Sequence, residues 1–164
     1  MSGSNLEESE FFMGIDQSYS GFGLIVLQKE YEYDRQLWKF PVLGSDGARL
    51  HRIREEISSY LSPYKGKSVR LAIEGYAHAS RFNREKLGEL GGIVKLAWFE
   101  FSGEGPLVVP PTVLKKFTTG KGNASKDQMR IGAKEKWGVD IANDNLVDAY
   151  ALAKYCMESM INSS

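Results

Sequence analysis

The order of patterned segments constrains this chain most: three strand-like runs follow one another before the first helical repeat begins. In FFMGIDQSYSGFGLIVL, Phe11 to Asp16 reads as one strand, and Leu24 to Leu27 opens a second. Gly21 and Gly23 punctuate the tight turn between them. RQLWKFPV reads as a third strand, with Tyr31 to Arg35 as a polar connection. Three consecutive strands with short links make an antiparallel meander. Leu50, Ile53, Ile57 and Leu61 then recur at helical spacing, with Ser45 or Asp46 as cap and Pro63 as stop. The apolar run of SVRLAIEGY suits a buried strand parallel to the first, because a helix separates it from the meander. A helix in NREKLGELGGIVKLAWFEF, a short strand in GPLVVPP, a basic stretch, a helix from Ser125 to Trp137 and a final helix complete the chain. The expected fold is α/β: a five-stranded mixed sheet, an antiparallel three-strand meander plus two parallel strands, flanked by helices.

At 164 residues the chain is long enough for one domain with a real core, expected over residues 11–160. Residues 1–10 read as a flexible N-terminal tail and 161–164 as a short C-terminal one. MSGSNLEESEFF lacks the basic and apolar regions of a signal peptide. No apolar run approaches the roughly 20 residues that span a bilayer. One cysteine, Cys156, excludes a disulfide framework and a cysteine-based zinc site, and two histidines exclude a His-rich metal site. A reducing, cytoplasmic compartment is the expectation. Charge is balanced at 21 basic and 21 acidic residues, so net charge alone points to no partner.

The last helix, in NDNLVDAYALAKYC, poses the chemical question. Most of its residues suit a core, yet Asp144 and Asp148 stand at its head. Aspartate is poor inside a helix and is rarely buried without a partner. Two further acids finish strands: Asp16 in GIDQS and Glu74 in VRLAIEG. In open sheets, functional groups gather beyond the carboxyl ends of strands. If the first and fourth strands are parallel neighbours, Asp16 and Glu74 meet. Asp148 shares a helix face with Asp144, four residues back, and with Asn145, three back. Each has an ordinary explanation as a turn former, a solvated strand end or a helix cap. Jointly, in this order, they are better explained as one site. Carboxylates held together repel, and a divalent cation removes the cost. Oxygen donors without Cys or His favour Mg²⁺ or Mn²⁺. Two such ions, about 3.5–4 Å apart, activate water and stabilise the leaving oxygen of a phosphodiester.

GIDQSYSGFGLIV, LAIEGYAHASRFNREKLGELGGIVKLA, LKKFTTGKGNASKDQM and DNLVDAYALAKYC, in order over roughly residues 11 to 157, resemble the RuvC family of Holliday junction resolvases. The resemblance implies an RNase H-like fold and a homodimer that nicks four-way DNA junctions symmetrically with Mg²⁺. Asp16, Glu74 and Asp148 fall on the family's catalytic acids. Two departures stand out. The family's acid or histidine three residues before the last Asp is Asn145 here, and Asp144 can rotate in to replace it, so both are candidate ligands. GIDQS also replaces the common GIDPG, which suggests a divergent, phage-type branch.

Between Pro110 and Gly138 seven basic residues face two acids, a local excess of five positive charges in a neutral protein. Scattered lysines are usually a solvated helix face. The functional account is contact with phosphates, which positions a backbone without reading bases. Lys116 or Lys115, and Lys126 through SKDQM, match basic positions of the family, and Lys121 is a further candidate. Tyr76 is a candidate for stacking on an unpaired base, or else packs at the sheet mouth. Arg81 and Arg84 are within reach of DNA or of a solvated loop. His78 is a weaker candidate acid or base. The Gly88, Gly91, Gly92 stripe serves helix-on-sheet packing or, as the resemblance implies, a dimer interface. His51 reads as surface and Cys156 as core.

Three alternatives remain at this stage. A phosphotransferase of the actin and sugar-kinase type also opens with an acid after a strand, but needs a second similar domain for which 164 residues leave no room. Another RNase H-like nuclease, cutting flaps or hybrids, would share the metal chemistry. A catalytically impaired junction binder is the third, because Asn145 replaces a ligand.

Overall fold

The computed structural model describes residues 10–29, 31–75 and 81–162, with side chains at all of these except 81–83. Tyr76, His78 and the side chain of Arg81 therefore lie outside the described residues. Five strands form one sheet: β1 (Glu10–Asp16), β2 (Phe22–Gln28), β3 (Tyr31–Trp38), β4 (Ser68–Glu74) and β5 (Leu107–Val109). The order is β3-β2-β1-β4-β5. β2 is antiparallel to β1 and β3 to β2, while β4 is parallel to β1 and β5 to β4. The expected mixed sheet is thus observed.

The helices are α1 (Asp46–Leu61), α2 (Arg81–Ser102), α3 (Pro111–Thr119), α4 (Lys126–Trp137) and α5 (Asp144–Asn162). Ser45 caps α1 through its side chain, and a short 3₁₀ turn containing Pro63 follows the helix. Ser125 and Gln128 form a reciprocal capping box at the start of α4. Asn143 accepts the Leu146 N–H at 3.1 Å and so serves the head of α5.

Three expectations are corrected. Tyr31 to Arg35 is not a connection but the first half of β3. It is an edge strand facing water on most of its length, which explains its polar sequence. The chain turns at Lys29, whose φ of 56° is left-handed. Part of the basic stretch is a helix, α3, begun by a proline and closed by Gly120 at φ 84°. Finally, Glu10 belongs to β1, and Ile161 and Asn162 to α5, rather than to tails.

The central strand β1 is buried from Phe11 to Ile15. Side chains alternate across a sheet. Phe11, Met13 and Ile15 enter a core with Ile53 and Ile57 of α1 and Leu90 and Val94 of α2. Phe12 enters the opposite core, with Ala72, Val147, Ala149 and Leu152. Gly14 and Asp16 share that second face by parity. A Cβ on Gly14 would overlap the Ala149 carbonyl oxygen and come within 2.6 Å of the Ala153 nitrogen. The missing side chain is what lets α5 lie directly on β1.

Candidate active site

The same parity places the acids. On β4, Leu71 and Ile73 face α1 and α2, while Ala72 faces α5, and Glu74 follows on that side. β1 and β4 are in parallel register up to Ile15 and Ile73, so Asp16 and Glu74 are the next pair. Asp148 comes down from the second turn of α5. One carboxylate oxygen from each of the three lies within 4.8 Å of the others, and all three residues are half-buried. Strands adjacent in the sheet but 58 residues apart in sequence are thereby bridged by a helix that follows both.

Crowding is visible in the acidities. Asp16 is held well above the usual carboxylate range, first by burial and then by repulsion from Asp148 and Glu74. Burial and Asp148 push Glu74 up to about 7. Burial and Asp144 push Asp148 up to about 6. Two lysines oppose these shifts: Lys115 acts on Glu74 and Asp148, and Lys126 on Asp16 and Asp148. A donor set of oxygens only, close enough to share one cation and strained by its own charge, fits a hard divalent ion.

Glu74 and Asp148 open into a cavity of about 330 Å³, whose lining also includes Asp144, Lys115 and Lys126. Helix rotation separates the two candidates for a fourth ligand. Asp144 lines this cavity, with Arg130 Nε 3.8 Å from a carboxylate oxygen that is buried and accepts no hydrogen bond among the described residues. Asn145 turns toward the β1–β2 hairpin. Its amide nitrogen occupies the space where a Gly21 side chain would be, and its carbonyl oxygen would lie 2.7 Å from a Cβ on Gly23. The face expected to carry both residues is therefore divided.

The basic residues divide as well. Lys115 and Lys126 line the acid cavity, whereas Lys116 is exposed on α3. Lys121 lines a separate groove between α3 and α4, together with Thr118, Gln128 and Ile131. Others in the same stretch are engaged locally. Lys136 donates to the Phe117 carbonyl at 2.6 Å and lies over its ring, Lys134 stands 3.7 Å from Asp140, and Arg130 pairs with Asp127. Among the described residues, a side chain at Gly88 or Gly92 would meet no atom within 4 Å, while Gly91 is buried. His51 is exposed and Cys156 buried, as expected. Sequence reasoning missed Gln17, which is 6% exposed and donates from Nε2 to the Glu74 carbonyl at 3.1 Å. Its only signal was a polar residue directly after a candidate acid.

Carboxylates on the ends of two neighbouring parallel strands and on a covering helix, in a sheet of this order, define a nuclease of RNase H-like fold. The chain is 30% identical over 161 residues to crossover junction endodeoxyribonuclease RuvC of Chlamydia muridarum, covering 88% of this chain and 89% of that one. Identity and coverage are the same for the RuvC of Chlamydia trachomatis serovar L2. The chain belongs to the RuvC family of crossover junction endodeoxyribonucleases. Its fold matches that of Thermus thermophilus RuvC in complex with Holliday junction substrate, with a TM-score of 0.75 at 21% identity over 92% of this chain and 95% of that one. A further Thermus thermophilus RuvC structure gives a TM-score of 0.72 at 22% identity, over 87% of this chain and 90% of that one. No family model matches the chain. Among the described residues no helix is long and apolar enough to cross a membrane.

Proposed function

We propose that this chain resolves four-way DNA junctions by paired symmetric nicks, on one domain running from β1 to α5. Asp16, Glu74 and Asp148 would hold two Mg²⁺ ions, with Mn²⁺ able to substitute. When bound, the ions supply the charge that activates a water and stabilises the leaving oxygen of a phosphodiester. The observation that carries this reading is the meeting of three half-buried carboxylates within 4.8 Å in a member of the RuvC family.

The chain's own residues do the rest. Lys115 and Lys126, beside the acids, hold the scissile phosphate against a cluster that would otherwise repel it. Lys116 and Lys121, farther along, contact the backbone on either side. Asp144 is the fourth carboxylate, because it faces the cavity while Asn145 is packed on the hairpin. Tyr76 and Arg81 keep their assignment to DNA contact on sequence alone. A homodimer brings two sites to a junction with two strands to cut. Supporting it, α2 carries an open face where Gly88 and Gly92 meet no neighbour and Leu96 and Phe99 are exposed. Action on DNA places the protein in the cytoplasm.

A cleavage assay on a synthetic immobile junction, beside matched flap and RNA–DNA hybrid substrates, tests the reading. The expected result is Mg²⁺- or Mn²⁺-dependent symmetric nicking of the junction alone. Tight junction binding with no nicking would mark a binding protein instead, and hybrid cutting another kind of nuclease.

A further inference from the structure

The parallel ladder between β1 and β4 stops one residue short of the acids. Its last paired residues are Ile15 and Ile73, so Asp16 and Glu74 stand just past the point where backbone pairing fixes their separation. On its other side Glu74 is well held: it pairs with Val109, and the Gly75 N–H donates to the Val109 carbonyl at 2.8 Å. Toward β1, a side chain bonds across the gap. Gln17 Nε2 donates to the Glu74 carbonyl oxygen at 3.1 Å, a contact between residues 57 apart in sequence.

Three features make this more than an incidental surface bond. Gln17 is 6% exposed and the bond is partly buried, so it is stronger and costlier to lose than one on the open surface. It is adjacent to Asp16 in the chain, so its backbone and that of Asp16 move together. It also acts where force is needed. Asp16 is held by β2 and Glu74 by β5, but the two repel each other across the β1–β4 edge, where their own pairing has ended. A glutamine fits the task, because its amide reaches across an inter-strand gap without adding charge.

We propose that Gln17 is a positioning residue: its side-chain amide replaces the missing rung of the ladder and sets the spacing of the Asp16 and Glu74 carboxylates for a shared cation. The inference rests on the metal-site reading above. Residues that orient ligands in this way cost about 10–100-fold in metal affinity or activity when changed.

The test is Mn²⁺ titration by calorimetry on the full chain, together with junction cleavage as a function of Mn²⁺ concentration. Gln17→Met keeps length and removes the donor. Gln17→Asn keeps the amide and shortens its reach, and carries the test if the methionine variant does not fold. Both are expected to weaken Mn²⁺ binding about 10-fold or more. Cleavage should recover at high Mn²⁺, and junction affinity without metal should stay within about twofold of wild type. Wild-type Mn²⁺ affinity in a folded variant, with only a lower Tm, would overturn the proposal. Glu74→Gln separates the two levels. If it also binds Mn²⁺ like wild type, the metal site itself is misassigned. If it loses Mn²⁺ while Gln17→Met does not, only the role of Gln17 falls.

Discussion

The two faces of the sheet are built on opposite principles. The face under α1 and α2 is filled by large side chains: Phe11, Met13, Ile15, Phe22, Leu24, Ile53, Ile57 and Trp98 pack without a buried charge. The face under α5 also carries large residues, Phe12, Ile25 and Leu27, but toward the acids it narrows to small ones. Gly14 meets the Ala149 carbonyl, the Ala153 nitrogen and the Leu152 Cβ, and Gly23 meets the backbone of Asn145 and Leu146. Large residues fill volume and stabilise; small ones let backbones approach. Close approach is what brings Asp148 down to the ends of β1 and β4. One face stabilises the domain, and the other gives up packing volume to position carboxylates.

The strongest break of this comparison targets the acids. Asp16→Asn or Glu74→Gln should lower junction cleavage by about 10³-fold or more, with junction binding unchanged or tighter as repulsion of phosphate falls. Gel-shift and cleavage assays on one preparation check both. Next comes a matched pair on the two faces. Gly14→Ala should destabilise by about 3 kcal/mol through overpacking and should also lower Mn²⁺ affinity, because α5 must move. Ile57→Ala should cost about as much stability through its cavity, while Mn²⁺ affinity of the folded protein stays unchanged. Denaturant titration and calorimetry distinguish the faces.

A smaller effect sharpens the division within α5. Asp144→Asn should weaken Mn²⁺ binding and slow cleavage about 10-fold, whereas Asn145→Ala should lower Tm with little change in metal affinity. Exchanging the two residues, D144N with N145D, keeps the composition and should not restore wild-type affinity. The reverse ranking would return the fourth ligand to position 145.

The smallest effect is on pH. Glu74 and Asp148 titrate near 7 and 6 in the folded protein, above their ordinary values. The folded state therefore binds protons that the unfolded chain has already released. Their contribution to stability is full below about pH 4 and is lost as pH rises through 6 to 7. With solvent screening discounted this amounts to about 1–2 kcal/mol. The metal-free protein should melt about 4 °C lower at pH 8 than at pH 5 from this cause, and Mn²⁺ should recover the loss at pH 8. Scanning calorimetry with and without chelator measures it.

The sheet was legible because its signals are local: alternation, caps and short links fix elements, and a helix between two strands fixes their parallel sense. The meeting of Asp16, Glu74 and Asp148 was legible for a related reason, since each acid breaks the apolar pattern of its own element. What could not be read depended on rotation and tertiary approach. Asp144 and Asn145 are adjacent, and only the docking of α5 on Gly21 and Gly23 decides which enters the cavity. Gln17 acts on a residue 57 positions away, so no window of sequence contains both partners. α3 was a different kind of miss. Its proline start and Gly120 stop are present, but its short length and lysines also suit a basic loop.

The carboxylate on α5 has a temporal consequence. Every strand precedes that helix in the chain, and two of the three acids are already translated when the sheet can first pair. A nascent chain lacking α5 holds Asp16 and Glu74 without Asp148. On the proposed metal site the third carboxylate thus arrives only with α5, and a chain truncated before Asp148 is expected to lack cleavage.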